Sequence, residues 1–117
     1  MRHHHAQRTL GRDRDERVAL LRSLARSLIL RGGIKTTEAK AKELRPFIEK
    51  LVTKSKTDSV ASRRIVFGRL GNQVDALEKL FTTIGPRYKE REGGYTRIIK
   101  VSVNPKDGRR EARIEFV

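Results

Sequence analysis

Apolar positions recur every three or four residues over most of this chain and every second residue near its end. That change of period predicts helices followed by a β-hairpin. From Asp13 to Leu30, Val18, Leu21, Leu24, Ala25 and Leu28 fall on one helical face, and Asp15, Arg22 and Arg26 on the other. Asp13, Asp15 and Glu16 stand where a helix dipole favours negative charge, and Gly32-Gly33 ends the element. Ile34 to Thr36 reads as a very short strand, and Thr36 or Thr37 caps a second helix running to about Ser55. Its stripe is Ala41, Leu44, Ile48, Leu51 and Val52, with Lys40, Lys42, Arg45 and Lys50 outside it. Pro46 interrupts the pattern; because the stripe keeps phase on both sides, a kink is expected rather than a late start.

Thr57-Asp58-Ser59 predicts a break and then a cap. A short helix follows, with Val60, Phe67 and Leu70 in phase and Arg63-Arg64 outward, and Gly71 stops it. Asn72 is expected to cap a fourth helix that buries Val74, Leu77, Leu80, Phe81 and Ile84 and stops sharply at Gly85-Pro86. Beyond Gly94 the period becomes two: Thr96, Ile98 and Lys100 alternate with Tyr95, Arg97, Ile99, Val101 and Val103. After the turn cluster Asn104 to Gly108, Ala112, Ile114 and Phe116 alternate with Glu111, Arg113 and Glu115. A hairpin is not stable alone, so it must pack on the helices. The expected fold is α+β, a two-layer body of about four helices on a small mixed sheet with a C-terminal hairpin. Residues 13–117 form that single domain. Residues 1–12, with Arg2, Arg8 and Arg12 and almost nothing to bury, form an extended basic arm.

Charge sharpens this picture. The 117 residues carry 28 Lys and Arg against 14 Asp and Glu, a net charge of +14. A compact body with that imbalance repels itself, and the commonest polyanion to offset it is nucleic acid, whose phosphates release counterions when neutralised. The absence of cysteine excludes disulfides and thiolate metal sites and fits a reducing cytosol. No apolar run approaches the roughly 20 residues a membrane span needs.

Little points to catalysis, a cofactor or a small-molecule substrate. His3, His4 and His5 lie in the arm, without a fourth metal ligand or a neighbouring nucleophile. Ordinary helix-face ion pairs account for Glu38, Glu43, Glu49, Asp75 and Glu78. The cations form three blocks: the arm with the start of the first helix, Lys35 to Arg45, and Tyr88 to Arg97. Thr36-Thr37 followed by Lys40 suits a phosphate at a helix start, and the same threonines serve equally as plain caps. Tyr88 and Tyr95 could stack on splayed bases, although in a chain with 5% aromatic residues the core is the favoured use. Charge spread over arm, helices and loops suits folded RNA better than one face of a duplex. The alternative is a sequence-specific DNA-binding regulator that uses the short basic helix around Arg63-Arg64.

Four stretches carry a resemblance: Met1-Arg2-His3, Lys35 to Leu51, Thr57 to Arg64 and Gly85 to Ile98. In order, spacing and overall length the chain resembles the family of the seventeenth protein of the bacterial large ribosomal subunit. The resemblance implies a structural ribosomal component of the cytoplasm, without cofactor or reaction. It would bind large-subunit ribosomal RNA near the mouth of the peptide exit tunnel, beside neighbouring ribosomal proteins, with a basic N-terminal stretch inserted into RNA. The positions it carries over are Arg2, His3, Arg8, Lys35, Thr36, Thr37, Lys40, Lys42, Arg45, Arg64, Gly94, Tyr95, Thr96 and Arg97, to which charge adds Arg12 and Arg63. The chain departs from the family in the arm, at His4-His5-Ala6-Gln7 and at Leu10-Gly11-Arg12.

Overall fold

A computed structural model describes residues 13–117. Helix α1 (Arg14–Arg31) is capped by Asp13, whose Oδ1 accepts the Glu16 amide at 2.8 Å, and ends at left-handed Gly32. Strand β1 (Gly33–Thr37) leads into helix α2 (Glu38–Ser55), where Thr37 Oγ1 accepts the Lys40 amide at 3.2 Å. Helix α2 runs unbroken through Pro46, which lies on its exposed face. There the Lys42 carbonyl loses its usual backbone donor, because proline has no N–H.

Helix α3 (Val60–Arg69) is capped by Ser59. Its end differs from expectation: Asn72 adopts φ 65° and donates its amide to the Phe67 carbonyl at 3.0 Å, closing α3 rather than capping the next helix. Helix α4 (Val74–Lys79) widens into a π-helical turn (Leu80–Ile84) and then a three-residue helix α5 (Gly85–Arg87). Gly85-Pro86 therefore does not stop the run. Gly85 stays right-handed and donates to the Leu80 carbonyl, and a Cβ there would collide with the Ser55 carbonyl of α2. The glycine is needed for close helix packing, not for a turn. Val60 and Val74, assigned to the core by phase, sit exposed at the first positions of α3 and α4.

Strands β2 (Thr96–Val103) and β3 (Arg110–Phe116) form the hairpin, and the sheet order is β1-β3-β2. Both pairings are antiparallel, so the sheet is not mixed. The register sets Ile34, Ile114 and Ile98 in one row facing the helices, and Lys35, Arg113 and Ile99 in a row on the opposite face. A bulge between Lys100 and Ser102 breaks the ladder. Beyond it β2 outruns the helices, which leaves Val101 and Val103 exposed.

One core joins the layers. Leu28, Ile29, Leu44, Ile48, Leu51 and Ile114 are all at 0% exposure. Arg26 pairs with Asp75 at 2.5 Å, and Arg22 donates to the Arg69 carbonyl at 3.1 Å, so the outward side of α1 ties α3 and α4 down. No described helix is long and apolar enough to cross a membrane.

Candidate nucleic-acid interface

Antiparallel pairing of β3 with β1 sets Thr37 opposite Glu111. The start of α2 thereby meets the arginine run that opens β3, although the two lie at opposite ends of the sequence. The junction is a cleft of about 370 Å³ lined by Thr37, Glu38, Ala39, Lys42, Gly108, Arg109 and Arg110. Hollows of about 420 and 260 Å³ flank it and add Lys100 on one side and Lys35 and Thr36 on the other. The Thr37 hydroxyl occupies only one of the orphan amides at the helix start, and the dipole there favours an anion. Capping and phosphate contact are thus compatible at this position.

Electrostatics in the cleft come from cations that outnumber the acids and from acids already engaged. Lys42 Nζ lies 2.9 Å from Glu38 Oε1, and that hydrogen bond holds the Glu38 carboxyl below its usual range. Glu38 is only 7% exposed, and its second oxygen has no hydrogen-bond partner. Lys35 pairs with Glu111 at 3.0 Å. On the outer sheet face Arg97 and Arg113 share Glu115, at 2.6 and 2.9 Å, and those two hydrogen bonds lower its pKa. Arg109 makes no ion pair to a carboxylate among the described residues, and the nearby Asp107 accepts the Arg109 backbone amide at 3.0 Å. The arrangement presents hydrogen-bonding cations and helix-start amides across an open surface. It suits phosphates, and it aligns no nucleophile with a general base. No group of His, Asp and Glu among the described residues could hold a metal ion.

The sequence-predicted residues do not all fall in one place. Lys35, Thr36, Thr37, Lys40 and Lys42 converge at β1 and the start of α2, and Arg97 joins Lys35 on the outer face of the sheet. Arg45 lies further along α2 and reaches the Thr96 carbonyl at 3.4 Å. Arg64 is exposed on α3, remote in sequence and element from this cleft. Arg2, His3, Arg8 and Arg12, with the extended arm expected to carry them, fall outside the described residues.

Three of these residues are engaged within the protein itself. Tyr95 is 1% exposed, 5.3 Å from the Tyr88 ring and 3.1 Å from Thr53 Oγ1 through its hydroxyl, so it offers no face to a base. Thr96 is 2% exposed, and its hydroxyl donates to Glu49 at 2.8 Å. Arg63 turns inward: its guanidinium bridges Asp58 at 2.6 Å and Glu78 at 3.1 Å and lies 4.8 Å from the Phe81 ring centre. That removes half the charge on which a DNA-reading α3 would depend.

Lys100, Arg109, Arg110 and Arg113 are not among the sequence-predicted contacts. A dense basic run at the mouth of a hairpin is visible in Gly108-Arg109-Arg110. Its partner across the sheet is not.

Comparison with known proteins identifies the family. The family described as Ribosomal protein L17 matches residues 20–117. The Large ribosomal subunit protein bL17 of Gemmatimonas aurantiaca is 51% identical over 117 residues, covering 100% of this chain and 98% of that protein. The chain belongs to the ribosomal protein L17 family, a family of structural rather than enzymatic components of the ribosome.

Proposed function

We propose that this chain is a structural constituent of the large ribosomal subunit that binds and stabilises large-subunit ribosomal RNA on the exit-tunnel side. The observation that carries this reading is the full-length likeness to a protein named for the large subunit. The geometry supplies the mechanism. Internal hydrogen bonds engage Glu38, Glu49, Asp58, Asp75 and Glu115, and the surplus of Lys and Arg faces outward on several elements. Each neutralised phosphate releases counterions, and the rigid body fixes the angle between one contacted RNA segment and the next. Residues 1–12 add a basic segment inserted into RNA, and neighbouring ribosomal proteins complete the surroundings.

Sedimentation of a native lysate through a sucrose gradient tests this directly. The chain should migrate with the large subunit and stay there through a high-salt wash. Migration at the top of the gradient would refute the role. With roughly 6 to 10 phosphates contacted, affinity for purified ribosomal RNA should fall by about 10³ to 10⁵ between 50 and 200 mM salt.

A further inference from the structure

Glu38 opens α2 and is the one acid lining the basic cleft, and it lines the neighbouring 420 Å³ hollow as well. A helix dipole favours an acid at this position while it stands in water, and Glu is seldom buried unless paired. Glu38 is only 7% exposed, and its Oε2 is buried without a hydrogen-bond partner. A buried carboxylate with an idle oxygen is costly unless neighbouring charges offset it.

The sheet and the helix supply those charges together. Ala112 of β3 pairs with Thr36 of β1 and Lys100 of β2. This row faces the helices, because Ala112 is buried two residues before Ile114 on the same strand. Arg110, two residues earlier again, lies on the same side. Lys42 arrives from the next turn of α2, with Nζ 2.9 Å from Glu38 Oε1. Its hydrogen bond, and then the charges of Lys42, Lys100 and Arg110, hold the carboxyl below its ordinary pKa against the burial that would raise it. All three cations remain exposed. One carboxylate thus lies beneath three long side chains of like charge, which repel one another and would spread into water without an anion among them.

We propose that Glu38 is a positioning residue of the phosphate-binding cleft: its buried carboxylate gathers Lys42, Lys100 and Arg110, so that an acidic residue strengthens RNA binding. The inference rests on the RNA-binding reading above and names the group that organises its site. The consequence runs against net charge. Glu38→Gln raises the net charge of +14 by one, which by charge alone should tighten binding to RNA. Loss of the gathered cations should instead weaken it about tenfold and lower the slope of log affinity against log salt by about 1.

Titrations of the full chain with a bacterial large-subunit ribosomal RNA transcript, over a range of salt and beside thermal melts, test this. Lys100→Gln/Arg110→Gln, which keeps the Lys42 partner of Glu38, should lower the slope by about 2. Adding Glu38→Gln to that protein should cost about threefold or less, because most of what Glu38 gathers is gone. Glu38→Asp keeps the charge but withdraws it by one methylene. It should lose less than Glu38→Gln, and it carries the same comparison if Glu38→Gln lowers the melting midpoint. Unchanged or tighter binding by Glu38→Gln, with the slope still falling in Lys100→Gln/Arg110→Gln, would overturn the role of Glu38 and leave the RNA reading standing. An equal loss in both backgrounds would make Glu38 a structural residue and overturn its positioning role. No effect of either variant would overturn the cleft as an RNA site together with its positioning residue.

Discussion

Arg63 on α3 and the pair Arg109-Arg110 at the opening of β3 sit in similar basic runs of the sequence and in opposite surroundings in the fold. Arg63 sits between Asp58 and Glu78 above the Phe81 ring, and its hydrogen bond holds Asp58 below its ordinary pKa. It clamps α3 to the helical run beyond it. Arg109 and Arg110 stand beside acids already engaged elsewhere: Glu111 pairs with Lys35, and Asp107 caps a backbone amide. Their charge is left for a partner. The local fate of the carboxylates therefore decides which cations hold the fold and which are left without an acidic partner.

The sharpest break between structural and binding roles should appear at Tyr95, which the family resemblance places among RNA contacts and the fold places in the core. Tyr95→Ala empties a fully buried aromatic position and should cost about 3–5 kcal/mol of stability. Tyr95→Phe should cost about 1 kcal/mol, the value of its hydroxyl hydrogen bond, and leave RNA affinity unchanged. Thermal melts with RNA titrations of both variants measure this. A Tyr95→Phe protein of normal stability but weakened RNA binding would return the residue to the interface.

The reverse pattern is expected at the cleft. Arg109→Gln with Arg110→Gln should leave stability within about 0.5 kcal/mol of the parent, as for surface changes generally. RNA affinity should fall, and the salt slope should drop by about 2, one for each phosphate contact removed. If melting drops while the slope stays constant, these arginines are structural and the contrast with Arg63 disappears.

The helices are legible in the sequence because their periodicity and caps are local. Thr37 and Ser59 cap where the pattern places them, and the α2 stripe of Ala41, Leu44, Ile48, Leu51 and Val52 is wholly buried. Local pattern misleads where a distant contact overrides it. Gly85-Pro86 has the composition of a stop, yet the backbone of α2 presses against Gly85 and the helix continues past it. Ile99, Val101 and Val103 alternate like a core-facing strand, but Ile99 lies on the outer face of the sheet, and Val101 and Val103 are exposed at and beyond the bulge. The cleft is half legible. Lys35 to Lys42 can be read as one anion-binding start of a helix, whereas Arg109 and Arg110 arrive only through the register of β1 with β3, which no local pattern encodes. Arg63 misleads for a related reason: i to i+4 phase says outward, and Asp58, Glu78 and Phe81 draw the side chain back.

Acid should act on both regions, and its sign is fixed. Hydrogen bonds from Arg63, Arg26, Lys42 and the Arg97–Arg113 pair hold Asp58, Asp75, Glu38 and Glu115 below their ordinary values. A depressed native pKa contributes stability above the unfolded value, and that contribution is lost as pH falls through the native one. Stability should therefore be flat from about pH 8 to 5 and decline below about pH 4. Denaturant titrations across this range provide the check. Arg63→Gln should blunt the Asp58 share of the decline. RNA affinity should also be flat over the same plateau, apart from any contribution of His3, His4 and His5, the only histidines in the chain. Removal of residues 1–12 should abolish whatever pH dependence remains near about pH 6.5.

The smallest effect, and the finest test of the comparison, lies between two neighbours on α3. Arg63→Gln should lower the melting midpoint, because Asp58 and Glu78 both lose their cation and Phe81 its covering guanidinium. It should leave the salt dependence of RNA binding intact. Arg64→Gln should leave melting unchanged, since the side chain is exposed. If Arg64 meets a phosphate, as the family resemblance implies, the salt slope should drop by about one. The two proteins have the same net charge, so any difference between them measures placement and not electrostatics at large. Equal loss of RNA affinity in both would mean that Arg63 leaves Asp58 and Glu78 for RNA. The rule drawn from the carboxylates would then hold only for the free protein.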